Sequence, residues 1–137
     1  MRDWKMFNGE IVAEFRANAG RVPRFGEMPV LILHTIGART GEIRETPLIP
    51  VFEGGEVYVF ATAEGSTTHP SWYHNLRAHP RITIEAAGGQ FIADVVQIPE
   101  DEAARIVGER AANVPQLAEY VAKAAPRKVP VFVVKRV

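Results

Sequence analysis

Two glycine pairs, Gly54-Gly55 and Gly88-Gly89, each lie between short runs of β-branched and aromatic residues, and they constrain the fold more than any other feature. A glycine pair supplies the positive backbone angles of a two-residue hairpin turn, so each pair predicts two antiparallel neighbours. The first hairpin joins a strand over about Arg44 to Phe52 with Val57-Tyr58-Val59-Phe60-Ala61. The second joins Arg81-Ile82-Thr83-Ile84-Glu85 with Phe91-Ile92-Ala93-Asp94-Val95-Val96. Val30-Leu31-Ile32-Leu33 is too short for a helix and reads as a buried strand, and Val129 to Val134 closes the chain as another. Between the hairpins, Pro70 to Leu76 forms a short helix that Ser66, Thr67 and Thr68 are available to cap and Pro80 ends. Pro99-Glu100-Asp101-Glu102 opens a helical region carrying Ala103, Ile106 and Val107, which Pro115 interrupts before a last helix with Leu117, Tyr120 and Val121. An antiparallel sheet of this kind protects its edges by curling. The expected class is α+β, mainly β: a small antiparallel barrel with packed helices.

One domain over residues 1–137 is enough, because 47% of the residues are apolar and a chain of this length buries a core unaided. The 16 basic and 16 acidic residues cancel, which removes the broad positive field of a nucleic-acid binder and makes any anion site local. With no cysteine, disulfides, thiolate metal centres, iron–sulfur clusters and cysteine nucleophiles are excluded, and a cytoplasmic location is expected. No apolar run reaches the length of a membrane span. An amphipathic helix is expected over residues 8–19, capped by Asn8 and stopped by Gly20, with Ile11, Val12, Phe15 and Ala19 at helical spacing and Trp4 and Phe7 extending the stripe. Packing on the domain is the expected use of that stripe; a lid or a peripheral membrane contact are the alternatives. Nothing in the sequence sets an oligomeric state.

Thr35-Ile36-Gly37-Ala38-Arg39-Thr40-Gly41-Glu42-Ile43-Arg44 joins two strands with two glycines, two hydroxyls and two guanidinium groups. Glycine lets backbone N–H groups approach an anion, and arginine matches phosphate or carboxylate oxygens with a planar fork. A plain hairpin with solvated arginines explains the composition equally well. Downstream, Ala61 to Asn75 is a polar loop entering an aromatic helix, in which Trp72 and Tyr73 read as core residues and Asn75 is the residue least explained by packing. His34, His69, His74 and His79 show no metal-ligand spacing, so no metal is expected. No serine has the surroundings of a hydrolase nucleophile.

Taken jointly, the strand leading into Thr35 to Gly41, Arg44, Pro47, the hairpin at Gly54-Gly55, His69-Pro70-Ser71-Trp72-Tyr73-His74-Asn75-Leu76 and the ending Arg127 to Val134 resemble the deazaflavin-dependent nitroreductase and quinone-reductase family, which uses coenzyme F420. The resemblance implies a split β-barrel. It places the cofactor's phosphate and oligoglutamate tail on Gly37, Ala38, Arg39, Thr40, Gly41 and Arg44, beside Pro47. It places the deazaflavin ring and ribityl chain against Phe60, Ala61, Thr62, Ala63, Trp72 and Asn75. The implied reaction is hydride transfer to a quinone, activated alkene or nitro compound, with Thr62 or Tyr120 as the candidate donor to the developing oxyanion. Ala38 and Ala63 stand where some members carry a basic residue, and only Tyr120 represents a tyrosine-rich pocket helix. An FMN-dependent split-barrel oxidoreductase and a non-catalytic protein binding a cofactor or an apolar ligand are the alternatives.

Overall fold

The computed structural model describes residues 2–137. Seven strands run β1 (Leu31–Ile36), β2 (Ile43–Leu48), β3 (Val51–Glu53), β4 (Glu56–Phe60), β5 (Arg81–Ala86), β6 (Gly89–Gln97) and β7 (Val131–Arg136), with helices α1 (Trp4–Ala17), α2 (Ser71–Ala78), α3 (Glu100–Ala111) and α4 (Pro115–Ala124). All strand neighbours are antiparallel, in the order β2-β1-β5-β6-β7-β4-β3. The two edge strands, β2 and β3, are consecutive in the chain, and only Ile49-Pro50 separates them. The sheet is thus a curled half-barrel, open along one seam, in agreement with the split barrel that the family resemblance implies.

Both hairpins form. Gly54 and Gly55 have φ values of 59° and 80° and make the whole loop between paired Glu53 and Glu56. In the second hairpin the loop is Ala87-Gly88, and Gly89 already pairs with Ala86, one residue away from the expected turn. The single strand expected from Arg44 to Phe52 is two, because Pro50 has no N–H to continue the ladder and the chain bends there.

Helix α1 corrects the expected start at Asn8. It begins at Trp4, because the Asp3 carboxylate accepts from the Met6 N–H at 3.1 Å and caps the first turn. Its last turn ends at Ala17, and the Gly20 N–H bonds to the Phe15 carbonyl. The residues expected to cap α2 do not do so: Pro70 precedes its first turn without a side-chain cap.

Three apolar clusters hold the elements together. The barrel interior packs Leu31, Leu33, Ile82, Ile84, Val95 and Phe132 against Trp72, Tyr73 and Leu76, so α2 plugs the barrel and its aromatics are core residues. On the outer face of β1, Ile32 meets Ile11, Val12 and Phe15 of α1. On β4 and β7, Tyr58 and Val131 meet Ala103, Ile106 and Val107 of α3. Strand β1 is apolar without a break because both of its faces are covered. Ile11 at 1% exposure and Phe15 at 4% put the central part of the α1 stripe into packing on the domain, whereas Trp4 at 42% stays exposed at its start. No helix among the described residues is long and apolar enough to cross a membrane.

Candidate active site

A cleft of about 800 Å³ runs along β2 and is closed by α1 on one side, by Phe60, Thr62 and Ala63 on another, and by the start of α2 at its end. That volume suits a drug-sized or cofactor-sized molecule. Arg44, Pro47, Phe60, Thr62, Ala63, Trp72 and Asn75 all line it, so residues far apart in sequence meet on one surface.

The β1–β2 loop stands beside the cleft as its outer lip: Glu42 lines the cleft, whereas Gly37, Ala38, Arg39, Thr40 and Gly41 lie outside the lining. Its fold consumes much of its own polarity: Gly37 N–H bonds to Glu42 carbonyl at 2.8 Å, Gly41 N–H to Gly37 carbonyl at 2.9 Å, and Glu42 N–H to Thr40 Oγ1 at 3.1 Å. Gly41 has φ +73°, which favours glycine there. Asn75, 7% exposed, accepts the Ala38 N–H at 3.0 Å, and this tie between α2 and the loop is what packing alone did not explain. Among the described residues the guanidinium groups of Arg39 and Arg44, the N–H groups of Arg39 and Thr40 and the carboxylate of Glu42 have no protein partner. Arg44 faces the cleft, whereas Arg39 stands at the exposed tip outside its lining. The lip therefore has cations and donors to offer an anion.

The opposite rim is the loop after β4. Ala63, Glu64 and Gly65 take φ values of 48°, 53° and 83°, a left-handed run that two non-glycine residues adopt at a cost of about 1–3 kcal/mol each. Gly65 also lies against α4: a β-carbon there would stand 2.9 Å from Lys123 Cβ. Arg2 bonds Glu64 through Nε and Nη2 at 2.7 and 2.8 Å, joining the start of α1 to this rim, and the pair holds the Glu64 carboxyl below its ordinary range. Tyr120 lies off the wall of the cleft in the field of Glu64 and Arg2; burial, then Glu64, raise its hydroxyl, which stays protonated at neutral pH. Ala61, the remaining ring-facing residue expected from the resemblance, is fully buried just behind Phe60.

Sequence reading offered a lid as one use of the first helix but did not name the residues by which α1 walls the cleft. Lys5, Asn8, Gly9, Ala13 and Arg16 recur at helical spacing toward the cleft, and a β-carbon on Gly9 would meet nothing within 4 Å. The small residues between Lys5 and Arg16 are the signal that was there to find. Sequence spacing also hid a cluster in which His34, Glu45 and Glu85 bring ligand-type atoms within 4.8 Å of one another from three strands. Arg16 already neutralises it: its guanidinium donates to Glu45 and, at 2.7 Å, to Glu85. His34 Nε2 lies 2.6 Å from the same Glu85 oxygen and carries the proton, since a carboxylate only accepts. The cluster pins the end of α1 to the sheet.

Comparison with known proteins agrees with this architecture. Residues 8–136 match the family described as F420H(2)-dependent quinone reductase. An F420H(2)-dependent quinone reductase of Mycobacterium tuberculosis (strain ATCC 25618 / H37Rv) is 34% identical over 131 residues, covering 90% of this chain and 86% of that protein. Among solved structures, the F420-H2 dependent reductase FDR-A is 30% identical, with a TM-score of 0.65 over 78% of this chain and 94% of that one. A domain-swapped dimer, 27% identical, superposes with a TM-score of 0.66 over 97% of this chain and 98% of its own. The haem storage protein HutZ of Vibrio cholerae, 12% identical with a TM-score of 0.57, shares the fold alone. The family match selects the deazaflavin over FMN as cofactor and an enzyme over a passive binder. This chain belongs to the F420H(2)-dependent quinone reductase family.

Proposed function

We propose that the cleft is the site at which reduced F420 and a quinone meet, with the cofactor's anionic tail on the β1–β2 lip and its ring on the opposite rim. The carrying observation is the lip itself, where two guanidinium groups and two backbone N–H groups are without protein partners among the described residues, in a chain of zero formal net charge. Charge-assisted bonds from such a set fit a phosphate and a run of carboxylates. When bound, the reduced deazaflavin supplies the hydride.

This chain's own residues bind, orient and exclude water. Arg44, from the cleft wall, and Arg39, from the exposed tip, hold the tail and set its register. Asn75 spends its oxygen on Ala38, and its Nδ2, which meets no acceptor among the described residues, is free to donate to a ring carbonyl. Phe60, Pro47 and Trp72 give the ring apolar surface. Helix α1 covers the reacting face, and Trp4, Gly9 and Ala13 shape the space left for a planar acceptor. Thr62 lines that space with a hydroxyl able to donate to the oxygen on which negative charge develops. Tyr120 does not line the cleft, whereas Thr62 does, so the donor role falls to Thr62.

The decisive measurement is titration with oxidised F420 followed by turnover of F420H2 against menadione, with Arg39→Ala and Arg44→Ala alongside the wild type. Weakened cofactor binding in both variants is the expected result. Affinity unchanged in both would remove the lip from the site.

A further inference from the structure

Arg127, just before β7, is a half-buried cation with no carboxylate partner among the described residues. Burial alone makes its guanidinium easier to deprotonate than an exposed one. It is nevertheless well supplied with acceptors. Nη1 donates to the Ala61 carbonyl at 2.9 Å and to His69 Nδ1 at 3.2 Å, Nη2 to the Thr62 carbonyl at 2.8 Å, and Nε to the Ser66 carbonyl at 3.0 Å. An arginine that meets its donors with three carbonyls of one loop fixes that loop's peptide planes.

The consequence lies on the other side of those planes. In a trans peptide the carbonyl and the following N–H point in opposite directions, and the sole cis bond among the described residues is Ala125–Pro126. Holding the carbonyls of Ala61 and Thr62 toward Arg127 therefore turns the N–H groups of Thr62 and Ala63 away from it. Thr62 and Ala63 line the cleft, and neither N–H has a protein acceptor among the described residues. The Thr62 carbonyl accepts a second bond, from Gly65 N–H at 2.9 Å, so the peptide that carries the Ala63 N–H is polarised from two sides. Paired, polarised N–H donors at a cleft wall are what a carbonyl oxygen or oxyanion requires.

We propose that Arg127 is a positioning residue that holds the left-handed loop and aims the Thr62 and Ala63 N–H groups into the cleft as a cradle for a carbonyl oxygen of the bound ring or its acceptor. This deepens the reading of the cleft as the deazaflavin site and rests on it. The same bond sets the state of His69, whose Nδ1 must be unprotonated to accept from Arg127, leaving the proton on Nε2. His69 is stacked on Tyr73 at 3.9 Å and faces His74 and Arg77 besides Arg127. Burial first, then these cations, hold its titration below the ordinary value of 6.5.

The test uses full-length Arg127→Met and Arg127→Lys, each checked for a wild-type far-ultraviolet spectrum. Amide NMR on the cofactor-free protein is expected to show displaced Thr62 and Ala63 resonances in Arg127→Met, and a His69 titration moved to higher pH. Adding oxidised F420 should then shift the Arg39 and Thr40 amides as in the wild type but leave those of Thr62 and Ala63 unmoved. Affinity should fall by about tenfold, the equivalent of two neutral hydrogen bonds, and Arg127→Lys should recover part of it. Unchanged His69 titration and amide shifts in the cofactor-free variant would overturn the clamp. Cofactor affinity and Thr62 and Ala63 responses equal to the wild type would overturn the cradle. Wild-type protein that does not bind F420 would overturn both the cradle and the assignment of the cleft, leaving the clamp to the cofactor-free spectra.

Discussion

The two rims of the cleft both depend on arginine and use it in opposite ways. On the β1–β2 lip, the side chains of Arg39 and Arg44 have no protein partners among the described residues, and neither do the N–H groups of Arg39 and Thr40. On the opposite rim, Arg127 spends its donors on three carbonyls and a ring nitrogen, and the loop it grips is bent into a left-handed run. A free guanidinium is a binding group awaiting an anion, whereas a satisfied one is a scaffold that orients something else. Residue type alone does not tell the two apart; the partners do.

The comparison breaks first at the free rim. Replacing Arg39 and Arg44 together with alanine should weaken F420 binding by on the order of a hundredfold to ten-thousandfold, since each charge-assisted bond contributes about 1.5–3 kcal/mol. The melting temperature should hardly move, because neither side chain has a protein partner among the described residues. A large fall in Tm would show that these arginines are structural after all. At the gripped rim the balance reverses. Gly65→Ala forces a side chain onto a φ of +83° and against Lys123, so chemical denaturation should show a loss of about 1–3 kcal/mol; wild-type stability would mean that the loop is looser than its bonds imply.

Asn75 stands between the rims and sharpens the contrast. Asn75→Asp keeps the oxygen that accepts from Ala38 but removes the Nδ2 donor, so cofactor affinity should drop by about tenfold with little change in thermal stability. Equal affinity in a calorimetric titration would assign Asn75 to the scaffold alone. The smallest effect is expected where an arginine is satisfied by carboxylates. Glu85 is held below its ordinary value of 4.5, first by the hydrogen bond from Arg16 and further by His34, while burial opposes them. The folded state therefore binds that proton less readily than the unfolded chain, and the stabilisation is full above pH 4.5 and lost as the pH falls below it. Thermal melts from pH 6 to pH 3.5 should fall less steeply in Arg16→Gln than in the wild type. Parallel curves would mean that the ion pairs contribute nothing to folding.

The fold was readable where local chemistry decides it. The pair Gly54-Gly55 can scarcely serve another purpose between two β-rich runs, and the covered β1 shows as an unbroken apolar stretch. The start of α1 was misread because Asn8 resembles a cap, whereas Asp3, hidden among charged and aromatic neighbours, makes the bond. The lip was readable as an anion-binding composition, but which of its donors remain free depends on Thr40 and Asn75, and Asn75 arrives from another element. The His34, Glu45, Glu85 and Arg16 cluster gathers residues from three strands and a helix, so no window of sequence contains it. Arg127 opens the ending that carries the resemblance, but its role could not be read there: three of its four partners are backbone carbonyls, which every residue has and no motif records.

The corner at Ile49-Pro50 carries a last consequence. Leu48 and Phe60 both face the cleft, and the register that pairs Val51 with Tyr58 sets them on either side of that corner. The covalent link between the two strands here is a two-residue bend that belongs to no ladder. A residue inserted there would lengthen an unpaired link and leave both ladders in register, so the two walls joined by this corner can change their spacing while the barrel behind them stays as it is.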